Sequence, residues 1–193
     1  MDPRFFFGAM SPYSWFAAER IDGLLARAQW RPLFLGGIFK ENGRTSWGLT
    51  DGRSEGMADC EARAASYGLG PIHWPEHWPT NDLLIARGMV HAERQGRLKP
   101  FALSAMRLAF REGADLGDRQ AVIEAGSRAG LDAPALDAAL DDPDVKQALR
   151  AVNEEAVGAG VFGVPTVVLD GRLFWGDDRL AEAAAAVGTR QPA

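Results

Sequence analysis

The sequence contains a single cysteine, Cys60, among its 193 residues. One thiol cannot form an intramolecular disulfide, and it cannot supply a metal site built from several cysteines. A lone thiol fits a reducing compartment, so we expect the protein to be cytoplasmic. Cys60 lies within a predicted helix and has no basic residue next to it, which favours a buried structural role over a reactive one.

Long hydrophobic runs and basic clusters are also missing. No stretch approaches the roughly 20 apolar residues of a membrane span, and the N-terminus lacks the basic start and apolar core of a signal peptide. Acidic residues outnumber basic ones by 26 to 21, which gives a net charge of −5. Because phosphate binding requires a basic face, we expect no nucleic-acid partner, and we expect no membrane association.

The N-terminal segment predicts a strand, a helix and a second strand, in the order of a right-handed βαβ unit. The aromatic run Arg4–Phe7 is typical of a buried strand. The pair Ser11-Pro12 favours a helix start, with serine as the N-cap and proline in the first turn. Residues 30–35 predict the second strand. Residues 38–56, which are polar and rich in glycine, predict a loop.

The middle of the chain predicts helices alone, and strand signals return near its end. The six predicted helices cover residues 57–67, 81–95, 99–112, 118–129, 134–140 and 143–157. A strand is then predicted at 164–169, a two-residue hairpin turn at Asp170-Gly171, a return strand at 172–175 and a helix from Asp177 to Val187. Residues 189–193 predict a loose tail. The pattern indicates an α/β fold interrupted by a large all-helical insertion.

Two segments of the sequence resemble a known family. FFFGAMSPYSWFA and GVFGVPTVVLDGRLFWGDDRL resemble segments of the 2-hydroxychromene-2-carboxylate isomerases and the kappa-class glutathione transferases, in the DsbA-like branch of the thioredoxin superfamily. The resemblance implies a thioredoxin-like domain formed by residues 1–52 and 159–193. Residues 53–158 would form the helical insertion.

Ser11 is the candidate catalytic residue, because the resemblance places it where redox relatives carry a cysteine. A hydroxyl cannot form a disulfide, but at a helix N-terminus it can donate a hydrogen bond to an external thiolate. The alternative is that Ser11 only caps the helix. Ser14, one turn further on, is better explained as a small packing residue.

The resemblance also implies a cofactor site for glutathione or another low-molecular-weight thiol. Val164-Pro165 resembles the cis-proline of the superfamily, and Val164 could pair its backbone with a peptide-like cofactor. The alternative is a trans bond that merely starts a strand. Gly176 permits a close backbone approach. Asp177 and Asp178 suit the first turn of the last helix, and the resemblance implies that Asp178, with its neighbour, receives the glutamyl end of glutathione.

Tyr13, Trp74, Trp78 and Trp175 are candidates for the lining of a substrate pocket, with ordinary packing between the two halves as the alternative for the tryptophans. Members of the family carry an asparagine and a lysine after the second strand, and Lys40 and Asn42 are the candidates for those positions. We expect no metal site, because His73 and His77 lie in a loop without helical metal spacing.

The leading functional hypothesis is a thiol-dependent isomerase that acts on an aromatic or polyketide-like α,β-unsaturated keto compound. One alternative is a kappa-class-like transferase, in which the same activated thiol remains attached to the small-molecule substrate. A non-catalytic binding or chaperone-like thioredoxin fold is a second alternative. A disulfide oxidoreductase is the least compatible, because Cys60 is the single thiol. The sequence leaves a homodimer open.

Overall fold

The computed structural model describes residues 2–188, and its centre is a four-stranded mixed sheet. The strands are β1 (Arg4–Phe7), β2 (Gln29–Pro32), β3 (Thr166–Leu169) and β4 (Arg172–Trp175). Their order across the sheet is β2-β1-β3-β4. Strand β1 pairs parallel with β2 and antiparallel with β3, and β3 pairs antiparallel with β4. The sheet therefore joins the two ends of the chain.

Helices surround this sheet. They are α1 (Pro12–Leu24), α2 (Leu35–Glu41), α3 (Arg53–Ser66), α4 (Leu83–Arg94), α5 (Leu98–Glu112), α6 (Arg119–Arg128), α7 (Ala133–Ala139), α8 (Pro143–Gly158) and α9 (Leu180–Gly188). Short 3₁₀ turns occupy Trp47–Leu49 and Asp177–Arg179. Across residues 2–188, every helix is too short or too polar to traverse a lipid bilayer.

Strand β1 places one aromatic layer on each face of the sheet, because successive side chains of a strand point in opposite directions. Phe5 and Phe7 stack on each other with ring centroids 5.2 Å apart, and Trp30 of β2 packs edge-on against both. Phe6 packs on the other face with Val168 of β3. Full burial of each such side chain stabilises the fold by about 1.5–3 kcal/mol. The end of β1 is thus held rigidly at the base of α1.

Most of the predicted elements are confirmed. The strand at Arg4–Phe7, the exclusively helical middle and the C-terminal hairpin lie where the sequence places them. Asp170 and Gly171 both have positive φ angles, 48° and 76°, as a tight two-residue hairpin turn requires. The predicted tail, residues 189–193, lies outside the described residues.

The predicted loop at 38–56 holds only for residues 42–46 and 50–52, and the predicted end of the second strand is wrong. Strand β2 ends at Pro32, and Leu35 already begins α2. The N-cap residue of α2, Phe34, offers no side-chain acceptor. The acceptors come from distant helices instead: Phe34 N–H donates to Asn153 Oδ1 at 3.0 Å, and Leu35 N–H donates to Asp82 Oδ2 at 3.1 Å. Such caps leave no local signal in the sequence.

Candidate active site

A cleft with a volume of about 600 Å³ opens at the N-terminus of α1. Its walls come from the β1–α1 turn, from α2 and the segment that follows it, from the turn before α4, and from the residues flanking β3 and β4. Among the described residues, six of the candidates from the sequence line it together: Ser11, Tyr13, Lys40, Trp78, Val164 and Trp175. Residues from distant parts of the chain thus share one concave surface.

Ser11 is the N-cap of α1 and a wall of the cleft. Its backbone is extended, with φ −95° and ψ 117°, and its Oγ accepts a hydrogen bond from Ser14 N–H at 3.2 Å. A hydroxyl has two acceptor positions and one donor, so capping leaves the O–H able to donate elsewhere. Pro12 has no N–H, and the N–H of Tyr13 belongs to a first turn without intrahelical acceptors. The positive end of α1 therefore faces the cleft.

Ser14 has a different role. Its side chain is fully buried, and its Oγ accepts a hydrogen bond from Gly8 N–H at 3.4 Å. Ser14 is absent from the cleft wall. Its hydroxyl therefore closes the turn between β1 and α1, which supports a packing role.

The Val164–Pro165 peptide is cis. Val164 lines the cleft, whereas Pro165 lies behind it, where its carbonyl accepts a hydrogen bond from Gly176 N–H at 2.9 Å. Gly176 has a φ of 117°, and a Cβ at this position would lie 2.3 Å from Asp178 Oδ1. Glycine suits this position because L residues rarely adopt such a positive φ, whereas the exposed Asp178 carboxylate could rotate away from a Cβ.

The two adjacent acidic residues after β4 have separate environments. Asp177 is 1% exposed and accepts hydrogen bonds from Tyr67 Oη at 2.8 Å and Arg63 Nη1 at 3.1 Å. Arg20 Nη1 lies 3.5 Å from its Oδ2. Burial raises the pKa of Asp177, while Tyr67 and the two arginines oppose that rise. Asp178 is exposed, and neither residue lines the 600 Å³ cleft.

Tyr13 is held by a neighbouring carboxylate. Its hydroxyl donates to Asp59 Oδ2 at 3.2 Å. Burial, with further contributions from Cys60 and Asp59, raises the pKa of Tyr13 well above its usual value. The tyrosine therefore stays protonated and presents a ring to the cleft, not a base.

An aromatic cluster forms one side of the cleft. The rings of Trp47 and Trp78 lie 4.8 Å apart, as do those of Trp74 and Trp78. Trp78 Nε1 donates to the Met10 carbonyl at 2.9 Å, which ties this cluster to the β1–α1 turn. Trp74 supports Trp78 from behind and does not reach the cleft. Trp47 does reach it, and it lies within the segment predicted as a loop.

In the part of the chain that the structure describes, two basic residues line the cleft, one on α2 and one just beyond it. Lys40, a candidate from the sequence, is one of them. Asn42 instead follows the last residue of α2, and its side-chain amide donates a hydrogen bond to the Ile38 carbonyl. Arg44 is the other, and it was not among the site residues predicted from the sequence. Its guanidinium lies 5.4 Å from the ring centre of Trp175, which is 46% exposed at the cleft mouth.

Asp82 is the acidic member of the cleft wall in the described part of the chain. It is 5% exposed, and burial raises the pKa of its carboxyl to about 6 against the opposing effect of backbone N–H groups. Asp82 falls at the start of the helix predicted over 81–95, and nothing in the sequence marked it as a cleft carboxylate.

Cys60 lies away from this surface. It is fully buried, and burial raises the pKa of its thiol to about 12. Within residues 2–188, no three histidine, cysteine, aspartate or glutamate side chains are grouped so as to hold a metal ion.

Residues 4–188 match the DSBA-like thioredoxin domain. The chain belongs to this family. Relatives that align with nearly the whole chain include 2-hydroxychromene-2-carboxylate isomerase from Sphingobium xenophagum. It is 28% identical over 183 residues, which cover 91% of this chain and 92% of the relative. Another is human glutathione S-transferase kappa 1, 26% identical over 209 residues, with 96% of this chain and 90% of the relative covered.

Solved structures of the DsbA-like fold agree with this assignment. A 2-hydroxychromene-2-carboxylate isomerase superposes with a TM-score of 0.84 at 20% identity, covering 98% of this chain and 95% of that one. The cytosolic disulfide reductase DsbM from Pseudomonas aeruginosa, solved with GSH, has a TM-score of 0.67 at 14% identity, with 98% of each chain covered. These likenesses establish a thioredoxin fold with a helical insertion.

Proposed function

We propose that this protein is an enzyme that binds glutathione, or a similar low-molecular-weight thiol, and isomerises a small aromatic or polyketide-like α,β-unsaturated keto compound. The observation that carries the proposal is the Ser11 hydroxyl at the N-terminus of α1, on the wall of a 600 Å³ cleft. The similarity to an isomerase and a glutathione transferase supports it.

The donors around the cleft suit an anionic, peptide-like thiol. Ser11 would donate its O–H to the sulfur, and the first turn of α1 adds the positive end of the helix dipole. Lys40 and Arg44 offer charges for carboxylates. Val164 would pair its backbone with the cofactor, and Asp178, exposed beyond the cleft, would meet its amino end. When bound, the ionised thiol supplies a sulfur nucleophile.

The substrate class rests on the aromatic side of the cleft. Trp47, Trp78 and Trp175 offer flat apolar surfaces, and Leu49, 70% exposed, extends the apolar mouth. Such surfaces favour a planar conjugated molecule. Trp74 would act indirectly, by fixing the ring of Trp78.

A transferase is the second candidate, since the similarity to human glutathione S-transferase kappa 1 spans nearly the whole chain. Both activities need the same ionised sulfur, so the site geometry serves either. Mass spectrometry of products separates them, because a transferase leaves a stable thioether whereas an isomerase returns the thiol unchanged.

We further propose a cytoplasmic location, which the single buried thiol favours. We also propose that residues 1–52 and 159–193 form the thioredoxin-like domain and that 53–158 form the insertion domain. All four strands lie in the former and α3–α8 in the latter.

The test of function is a thiol panel read by thermal shift. Glutathione, mycothiol and bacillithiol are each added to the protein, with S-methylglutathione as a control that lacks an ionisable sulfur. We expect at least one thiol to raise the melting temperature in a concentration-dependent manner. A melting temperature unmoved by every thiol would contradict the proposal.

A further inference from the structure

Asp82 lies beside the turn that carries Ser11. Its Oδ2 accepts a hydrogen bond from Leu35 N–H at 3.1 Å, and a Cβ built on Gly8 would lie 3.6 Å from the same oxygen. The Gly8 carbonyl in turn accepts from Ser11 N–H at 3.2 Å. Asp82 and Ser11 also line the same cleft. The carboxylate thus lies beside the turn that carries Ser11 and on the wall of the same cleft.

Asp82 caps the N-terminus of α2, but capping alone does not require a carboxylate. An asparagine oxygen would accept the same backbone N–H group. An aspartate buried in a cleft bears an added cost, because burial disfavours its charged form and raises its pKa to about 6. That value lets the carboxyl gain and lose a proton near neutral pH, which a cap does not need.

The other ionisable groups around the cleft do not offer this chemistry. Lys40 and Arg44 are cations, and Tyr13 keeps its proton while its hydroxyl donates a hydrogen bond to Asp59. The Ser11 hydroxyl can stabilise an anionic sulfur, but it is not a base. Backbone N–H groups of Leu35, Gly36 and Asp82 itself, not charged side chains, are what lower the pKa of Asp82.

We propose that Asp82 is the catalytic proton acceptor for the thiol bound at Ser11. This inference rests on the proposed function. The S–H bond breaks, an O–H bond forms at a carboxylate oxygen of Asp82, and the bonding electron pair remains on sulfur. The proton returns along the same path when the thiol re-forms. The thiolate left beside Asp82 is an anion, and a neighbouring negative charge raises the pKa of a carboxyl further. Asp82 therefore keeps the proton within the site near neutral pH, and the complete cycle consumes none, as an isomerisation requires.

The test compares proton release with thiolate formation. Glutathione is bound near neutral pH, thiolate is measured by its ultraviolet absorbance, and released protons are counted by calorimetry in buffers of different ionisation enthalpy. Asp82→Asn retains an acceptor for Leu35 N–H. Asp118→Asn is the matched control, since Asp118 is an exposed N-cap whose Oδ1 accepts from Gln120 N–H at 2.9 Å.

We expect the wild type and Asp118→Asn to release clearly less than one proton per thiolate formed, and Asp82→Asn to release one. One proton released per thiolate in the wild type would overturn the inference, and that measurement decides even if Asp82→Asn fails to fold. Wild-type protein that binds no glutathione, or binds it without forming thiolate, would instead overturn the proposed function and the inference with it.

Discussion

Replacement of Ser11 by alanine removes two interactions at once. The first is the N-cap hydrogen bond from Ser14 N–H, 3.2 Å long, whose loss costs about 1 kcal/mol of stability. A folded domain with about 5–15 kcal/mol of stability survives that loss. The second is the proposed hydrogen bond to a bound sulfur, which would contribute about 1.5–3 kcal/mol because its acceptor is charged. At about 1.4 kcal/mol per unit, the pKa of the bound thiol should rise by about one to two units.

The assay is a pH series of the thiolate absorbance of bound glutathione. Ser14→Ala is the control, because it removes the acceptor of Gly8 N–H but leaves the Ser11 hydroxyl in place. Its melting temperature should fall while its thiolate titration stays at the wild-type position. Ser11→Thr keeps a hydroxyl and should restore most of the effect. If the Ser11→Ala titration overlays that of the wild type, Ser11 is a helix cap and nothing more.

Three further predictions follow from burial and exposure. The folded-state pKa of the Asp82 carboxyl, about 6, lies above its ordinary value of 3.8. The protonated carboxyl therefore stabilises the folded state fully below pH ~4, and this contribution is lost as the pH rises through ~6. Chemical denaturation should therefore show the wild type losing about 3 kcal/mol relative to Asp82→Asn between pH ~4 and ~7, and parallel pH profiles would contradict this. Asp178→Asn should weaken glutathione binding by about two- to fivefold, because an exposed ion pair contributes up to ~1 kcal/mol, and an unchanged Kd would place the anchor elsewhere. The buried Cys60, with a thiol pKa of about 12, should not reduce insulin disulfides, and turnover that disappears in Cys60→Ser would disprove that.

The sequence predicted those parts of the site that depend on interactions between residues close together in the chain. Ser11-Pro12 marks the start of α1 because the N-cap and the proline act within one turn. Asp170-Gly171 marks the hairpin because both residues tolerate a positive φ. The aromatic run of β1 predicts a buried strand, which is the element that fixes the position of Ser11. These features need no information from distant residues.

Distant contacts explain what the sequence could not reveal. Helix α2 depends on acceptors from α8 and from the N-cap of α4, so its own residues look like a loop. Asp177 and Asp178 both look like first-turn acids in the sequence, but it is Asp177 that accepts hydrogen bonds from Arg63 of α3 and from Tyr67, the residue after α3. Asp82 becomes a cleft carboxylate solely because the segment before α4 folds against the β1–α1 turn.

Asn153, in α8, helps to fix the backbone conformation between β2 and α2. Its Oδ1 accepts from Phe34 N–H at 3.0 Å, and its Nδ2 donates to the Phe34 carbonyl at 2.9 Å. The amide side chain of Asn153 thus gives the Phe34 backbone both a donor and an acceptor, as a neighbouring strand would, between the end of β2 and the start of α2. A shortened chain that joined residue 52 directly to residue 159 would lose both this amide and Asp82. The backbone N–H groups of residues 34–35 would then lose their side-chain acceptors. We therefore expect that residues 1–52 and 159–193, expressed without the helical segment, would not keep the cleft intact.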